Sequence, residues 1–572
     1  MGFNSLHRQV GLITLSRNAA ALCMILALLT FCMGVSAAAD IGKRSPLLKS
    51  RMEQLRANDR LDIQGVVITG KFVPEFYRQR AYELAWESKA GNALDLLVQI
   101  RASEQEGLVP ADYYAAEIEQ MLAAASKTDL SDSQRVDLDI MLTAAVVRYA
   151  YHLRFGKVNP DTMVAGRNMQ RSFNSQDPLV EIQELIDSTA FNAELDARIS
   201  QLPLYHRLRD ALVDYRALRE SGGWPTVPAG PTLKPDMQDE RVVAVRQRLV
   251  VTGDLAADTP AVEPLLYDRA LQDGVEHFQL RHGLDVDGLI GKGTLAAMNV
   301  TVDARIDQIR VNMDRARWVS QELPKTFVMV DIAGFRASLL IDGEVAWDEP
   351  VVVGKPYRET PVFREEMTYL EMNPTWTVPP TILAKDILPK LKKDPAYLEQ
   401  QKMQVLTMEG KVVDSATIDW ASTSARGFPY MIRQTPGPHN ALGRIKFIFP
   451  NPHMVYLHDT PSKALFDRSS RAFSSGCIRV KNPYRLAELL LQDDDNWNRE
   501  KIDLAIDSLK QQRINLPESV PVLLLYWTVD VGQDGEVYFR DDIYQRDKKV
   551  LVRLDGKYHF DAPTDSPDWL KN

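Results

Sequence analysis

The stretch Tyr456-Leu457-His458-Asp459-Thr460, followed by Ser474-Ser475-Gly476-Cys477-Ile478-Arg479-Val480, separates an imidazole from a thiol by nineteen positions. Met454 to His458 reads as a strand, preceded across Pro450-Asn451-Pro452 by another at Ile445 to Phe449. Beyond the cysteine, Asn482 stands as a cap for a helix starting at Pro483, with Leu486, Leu489 and Leu490 on its apolar face. The cysteine thus lies on a strand-to-helix passage. A free thiol is only about 3% thiolate at pH 7, so a cysteine nucleophile needs a base, and His458 can take the thiol proton and later return it to a leaving amine. Gly476 lets a substrate approach the backbone, which makes the N–H groups of Gly476 and Cys477 candidate oxyanion donors. Arg479 offers a planar cation to a carboxylate, or forms a structural ion pair.

The surrounding region, 325–510, is β-rich. Asp342-Gly343 marks a two-residue hairpin between Phe335 to Ile341 and Glu344 to Trp347, and Glu409-Gly410 and Asp534-Gly535 mark further turns. Within it, 381–440 is charged and broken by Pro389, Pro395, Pro429 and Pro436. Residues 511–572 complete this region or the scaffold. An amphipathic linker helix from Val302, stopped by Pro324, occupies 301–324. Ahead of it, 236–300 forms a small unit with helical faces Val242, Val245, Leu249 and Leu271, Val275, Phe278, then Asp285 to Gly291 and a short helix from Thr294 to Met298. Its Asp-rich loop lacks the third acidic ligand and bidentate Glu of a calcium loop. His277 and His282 read as turn or packing residues. The Gly- and Pro-rich run from Ser221 to Pro235 ends a helical region at 40–235, whose clearest helix follows the Ser131-x-x-Gln134 capping box with Val136, Ile140, Ala144, Val147 and Tyr151 on one face. That region carries no catalytic motif.

At the N-terminus, His7, Arg8 and Arg17 precede the uncharged run Ala19 to Val35 and the small residues Ala37 and Ala39, so 1–39 reads as an export signal, either cleaved or retained as an anchor. Two of the three cysteines, Cys23 and Cys32, fall inside it, leaving Cys477 without a disulfide partner in an oxidising compartment. Such a thiol is either a small buried hydrophobe or a nucleophile, and its motif favours the second. The remaining composition suits a globular multidomain chain: 572 residues, 45% apolar and 25% charged. The net charge of −9 argues against nucleic acid as a partner.

The segment His458 to Val480 resembles the L,D-transpeptidase catalytic domain, or YkuD domain, with its Ser-x-Gly-Cys-x-Arg motif after a histidine. Asn373-Pro374-Thr375-Trp376, Pro436 to Gly443 and His458-Asp459-Thr460-Pro461 extend the resemblance to the large periplasmic YcbB-type enzymes over most of the mature chain. Residues 236–300 resemble the three-helix peptidoglycan-binding domain through Phe278-Gln279, His282-Gly283-Leu284, Asp287 to Gly291 and Thr294. Many smaller relatives carry His where this chain has Ser475, so no role for a second histidine transfers.

The resemblance implies a multidomain α+β chain with a helical scaffold, a wall-binding unit and a β-rich catalytic domain whose insertion caps the substrate. It further implies a periplasmic enzyme without cofactor or metal that forms 3→3 crosslinks between diaminopimelate residues through a Cys477 thioester, releasing D-Ala. Its partners would be peptidoglycan stems and glycan, and carbapenems would acylate the thiol. His458 would be oriented by a backbone carbonyl rather than by Asp459. Arg479, Tyr456, Ser475 and Trp376 are substrate-contact candidates, Trp376 equally a core aromatic. Sortase-like or L,D-carboxypeptidase-type chemistry and a non-catalytic wall-binding scaffold are the alternatives. Papain-like enzymes place Cys before His, and here only His559 follows Cys477. Zinc hydrolysis lacks a His-Glu-x-x-His cluster.

Overall fold

The computed structural model describes residues 41–163, 171–174, 176–261, 263–319, 323–557 and 566–571. The expected export segment, His559 and the end of the linker helix at 320–322 lie outside them. Contacts divide the chain into two compact units: residues through 157 with 171–200 and the chain from 555, and 158–170 with 201–554.

The first unit is helical apart from a hairpin pairing Leu61–Ile63 with Val66–Ile68. Its long helix, Asp132–Phe155, starts on the capping box expected of Ser131 and Gln134. Val136, Ile140, Ala144 and Tyr151 are buried, and so are Asp139, Thr143 and His152 on other sides, because neighbouring helices surround the rod. Asp139 is fully satisfied there. It accepts the Tyr77 hydroxyl at 2.6 Å and the Ala85 and Trp86 N–H groups at 2.9 and 2.8 Å, while burial raises its pKa to about 6. The C-terminal residues return to this unit, with the Trp569 ring edge-on to Phe72.

In the second unit, helix Pro203–Glu220 packs on Val302–Val319. The latter helix is not an amphipathic linker. It is buried on most sides, Arg305, Arg310, Arg315 and Arg317 included. Such a helix can be buried because its polar heads find partners: Arg315 donates to Asp547 at 2.6 Å, Asn312 to Thr528 at 2.7 Å, and Arg317 to the Tyr205 hydroxyl at 2.5 Å.

The three-helix unit comprises Arg241–Val251, Arg269–Arg281 and Lys292–Met298 around Val242, Val245, Leu249, Leu271, Val275 and Phe278. Gln279 explains its motif. Its carbonyl accepts from Asp287 and Gly288 N–H, and its amide donates to Asp287, Leu289 and Thr294. His282 packs between the Phe278 and Phe539 rings, and His277 bridges Asp254 and Glu536.

The β-rich part is a nine-stranded sheet, its strands numbered here as β1 Phe327–Asp331, β2 Arg336–Ile341, β3 Glu344–Gly354, β4 Phe363–Met372, β5 Ile445–Ile448, β6 Leu457–His458, β7 Ala472–Ser474, β8 Ile478–Val480 and β9 Gln512–Leu525. Their order is β7-β3-β8-β6-β5-β4-β9-β1-β2, and the first half of β3 also pairs with β2, closing the sheet on itself. Asp342 and Gly343 both take positive φ, the geometry that two-residue hairpins need. Strand β6 is shorter than expected. The Asn451 side chain bonds Phe449, His453 and Val455 backbone, folding 449–455 into a turn with Met454 left-handed. Asn482 makes no capping bond and instead donates to Glu349. The insertion builds its own small sheet and a core of Leu383, Ile387, Leu391, Val405, Trp420 and Ile432.

Candidate active site

Strand pairing assembles the site. β6 and β8 run parallel with His458 opposite Arg479 and Leu457 opposite Ile478, and the Ile478 N–H donates to Tyr456 O at 3.1 Å. Continuing that register sets Cys477 level with Tyr456. Since alternate strand residues share a face, Tyr456, His458, Cys477 and Arg479 share one face of the sheet.

His458 is buried, and its Nδ1 bonds the backbone carbonyl of Asp459. That carbonyl holds the proton on Nδ1 and leaves Nε2 as an acceptor. The Asp459 carboxylate is engaged elsewhere, accepting from Arg444 N–H at 2.9 Å and from the Lys463 ammonium. Burial, reinforced by the Arg479 and Lys446 cations, lowers the His458 pKa to about 3. Burial likewise raises the Cys477 thiol, against hydrogen bonding from Tyr456 and the pull of Lys446 and Arg479. The resting pair is therefore neutral imidazole and neutral thiol. Tyr456 stands 5.7 Å from the His458 ring, centroid to centroid.

The loop before Cys477 is tightly held. Gly476 has φ +117°, a conformation closed to side chains bearing Cβ, and its carbonyl accepts the Thr360 hydroxyl at 2.8 Å. The Gly476 N–H is already donated to Ser474 Oγ at 3.0 Å, and Ser474 in turn donates to Cys477 O at 2.6 Å. The expectation that Gly476 N–H stands open as an oxyanion donor is therefore not met. The Cys477 N–H has no partner among the described residues. Ser475 is exposed and accepts from Arg358 Nη1 at 2.7 Å, the same nitrogen that meets Asp386 of the insertion at 2.6 Å. Trp376 packs on the insertion core, so its role as a core aromatic accounts for its position.

Arg479 was expected to meet a substrate carboxylate or to form a structural ion pair. No carboxylate pairs with it among the described residues, and its buried Nε has no hydrogen-bond partner. Burial lowers its pKa, against the opposing influence of the neighbouring Cys477 sulfur. Sequence reading missed Lys446, Thr360 and Arg358. Lys446 pairs in register with His458, and its ammonium sits 4.1 Å from the Tyr456 ring centroid. A lone Lys inside the apolar strand Ile445–Ile448 was the one available signal. Thr360 and Arg358 lie in a loop more than a hundred positions from Cys477, without a motif. Among the described residues no group of His, Cys, Asp and Glu could hold a metal.

The catalytic-domain model of the YkuD family, described as "L,D-transpeptidase catalytic domain", matches residues 325–502. The chain carries an L,D-transpeptidase catalytic domain. A "Scaffold domain" matches 71–212 and a "Putative peptidoglycan binding domain" matches 238–298. A Haemophilus influenzae protein named "Putative L,D-transpeptidase" is 35% identical over 223 residues, 39% of this chain and 45% of that protein, so the match spans less than half the relative's length. Two solved L,D-transpeptidases are more distant. That from Mycobacterium smegmatis is 14% identical over 35% of this chain and 58% of its own, with TM-score 0.17. That from Xylanimonas cellulosilytica is 16% identical over 52% and 99%, also with TM-score 0.17.

Proposed function

We propose that this chain transfers acyl groups between peptidoglycan stems outside the cytoplasm, forming 3→3 crosslinks. The observation that supports the reading is the β6–β8 pairing, which brings the strand carrying His458, its Nδ1 held by the Asp459 carbonyl, alongside the strand that follows Cys477. The thiol attacks the carbonyl at the L-centre of diaminopimelate in a tetrapeptide stem while Nε2 takes its proton. The Cys477 N–H supports the resulting oxyanion. Collapse breaks the amide, the imidazolium protonates the departing D-Ala amine, and a thioester remains on Cys477. The side-chain amine of a second stem then attacks, His458 accepts and returns a proton, and the thiol is restored as the new amide forms. Arg479 holds the terminal carboxylate of the donor's D-Ala, which supplies the partner its buried Nε lacks. Gly476 shapes the loop, and Tyr456 hydrogen-bonds the thiol. Ser475 anchors Arg358 and the insertion, whose closure excludes water from the thioester. The 238–298 domain binds the wall. Among the described residues no helix is long and apolar enough to cross a membrane.

The test is incubation with purified disaccharide-tetrapeptide followed by mass spectrometry. A dimer lacking one D-Ala is the expected product. Tripeptide monomer alone would replace this reading with L,D-carboxypeptidase activity, and an unchanged substrate would leave a wall-binding scaffold.

A further inference from the structure

A row of ionisable residues crosses the catalytic sheet. Arg513 on β9 pairs with Glu371 on β4, Glu371 with Lys446 on β5, Lys446 with His458 on β6, and His458 with Arg479 on β8. Residues in register project to the same face, so five strands contribute five such side chains to one line. Arg513 is exposed and stacks on Tyr369 at the outer end.

The two residues between Arg513 and His458 are left incomplete. Lys446 Nζ and Glu371 Oε2 are 3.8 Å apart, beyond hydrogen-bond length, with side-chain exposures of 20% and 21%. Both side chains are only half-buried, so the pair is loose and its remaining hydrogen-bonding capacity faces the solvent side of the site. Neither has another polar partner among the described residues, apart from the Tyr456 ring beneath the ammonium. An ammonium and a carboxylate, side by side with open valences, match the inverse pair on an amino-acid terminus.

We infer that Lys446 and Glu371 form a subsite for the zwitterionic end of a diamino-dicarboxylate side chain, carboxylate on Lys446 and ammonium on Glu371, an inference that rests on the reading of this site as acting on peptidoglycan stems. The reach is set from Cys477, where the reacting carbonyl sits: Tyr456, level with Cys477, has the Lys446 ammonium 4.1 Å from its ring centroid, and Glu371 lies on the next strand, about 4.8 Å beyond Lys446. The far α-carbon of diaminopimelate is five bonds from the reacting carbonyl carbon, roughly 6 Å when extended. The subsite would select donors carrying both charges and would orient the L-centre carbonyl toward Cys477.

The experiment follows single-turnover thioester formation on the full chain by mass spectrometry with three disaccharide-tetrapeptide donors. One carries diaminopimelate, one the analogue with the far amine replaced by hydrogen, and one L-lysine, which removes the far carboxylate. Wild type is expected to prefer the first by at least tenfold over each of the others. Glu371→Gln should reduce the preference over the des-amino donor to within threefold and keep the preference over the lysine donor. Lys446→Met should do the reverse, and Lys446→Arg should restore the selectivity for the carboxylate. Variants that slow all three donors in parallel would make the pair merely structural and overturn the subsite. Thioester formation by wild type without preference would overturn it too, leaving the transpeptidase reading intact. No thioester from any donor would overturn both.

Discussion

Two ion pairs within the unit 201–554 are built to different standards. Arg281 grips Asp254 through Nε and Nη2 at 2.8 and 2.6 Å, while its Nη1 donates to Val537 O at 2.7 Å; the two side chains are 4% and 0% exposed. Burial pushes Asp254 up, but hydrogen bonds from His277, Arg281 and Thr252 outweigh it and hold the carboxyl at about 2. Glu371 and Lys446, by contrast, face each other at 3.8 Å without a hydrogen bond. A saturated pair fixes structure. A loose pair on the strands next to His458 leaves room for the proposed ligand.

The largest effect expected belongs to the proposed nucleophile. Cys477→Ala should eliminate the one-to-one carbapenem adduct in an intact-mass measurement while leaving the circular dichroism spectrum unchanged, because one small loop residue replaces another. A persisting adduct would move the reactive centre elsewhere. The saturated pair comes next: Arg281→Met strands a buried carboxylate and should cost about 3–5 kcal/mol, read as a lowered urea midpoint. An unmoved midpoint would break the contrast from its structural side.

His458→Ala should slow acylation by at least ~10²-fold, the scale of general-base catalysis. Asp459→Asn should slow it much less, since His458 uses the Asp459 backbone carbonyl and not its carboxylate. The pH profile gives a smaller effect. With the thiol raised and the imidazole lowered to about 3, the thiolate fraction grows as pH rises and His458 stays neutral above pH 5. Carbapenem acylation should therefore climb from pH 7 to 9 with no step near 6.5, in contrast to a preformed thiolate–imidazolium pair, which would give a plateau. The smallest change should come from Lys446→Met, which removes a loose pair and should shift stability by less than ~1 kcal/mol in the same urea assay. A loss as large as that for Arg281→Met would erase the distinction between the two pairs.

The amino-acid sequence by itself determined the pieces whose physics is local. The Ser131–Gln134 capping box, the Asp342-Gly343 turn and the apolar faces of the three-helix unit depend on neighbours a few positions away, and so does the glycine before Cys477. The candidates Cys477 and His458 were legible for a different reason, since a thiol needing a base limits what can accompany it. What depends on strand register was not legible. Lys446 and Glu371 reach the His458 line only because β4, β5 and β6 pair at one offset, and a shift of one residue would turn them to the other face. The same holds for Ser474, whose hydroxyl occupies the Gly476 N–H, and for the helix Val302–Val319, whose charges look solvated until their partners from distant segments are in place. Nor did spacing show that the three-helix unit docks on the hairpin Val529–Val531 and Val537–Phe539 through Arg281 and His282. Tertiary structure decided these points because a buried polar group is satisfied by whatever donor or acceptor the fold brings within about 3 Å, and sequence distance places no limit on where that group comes from.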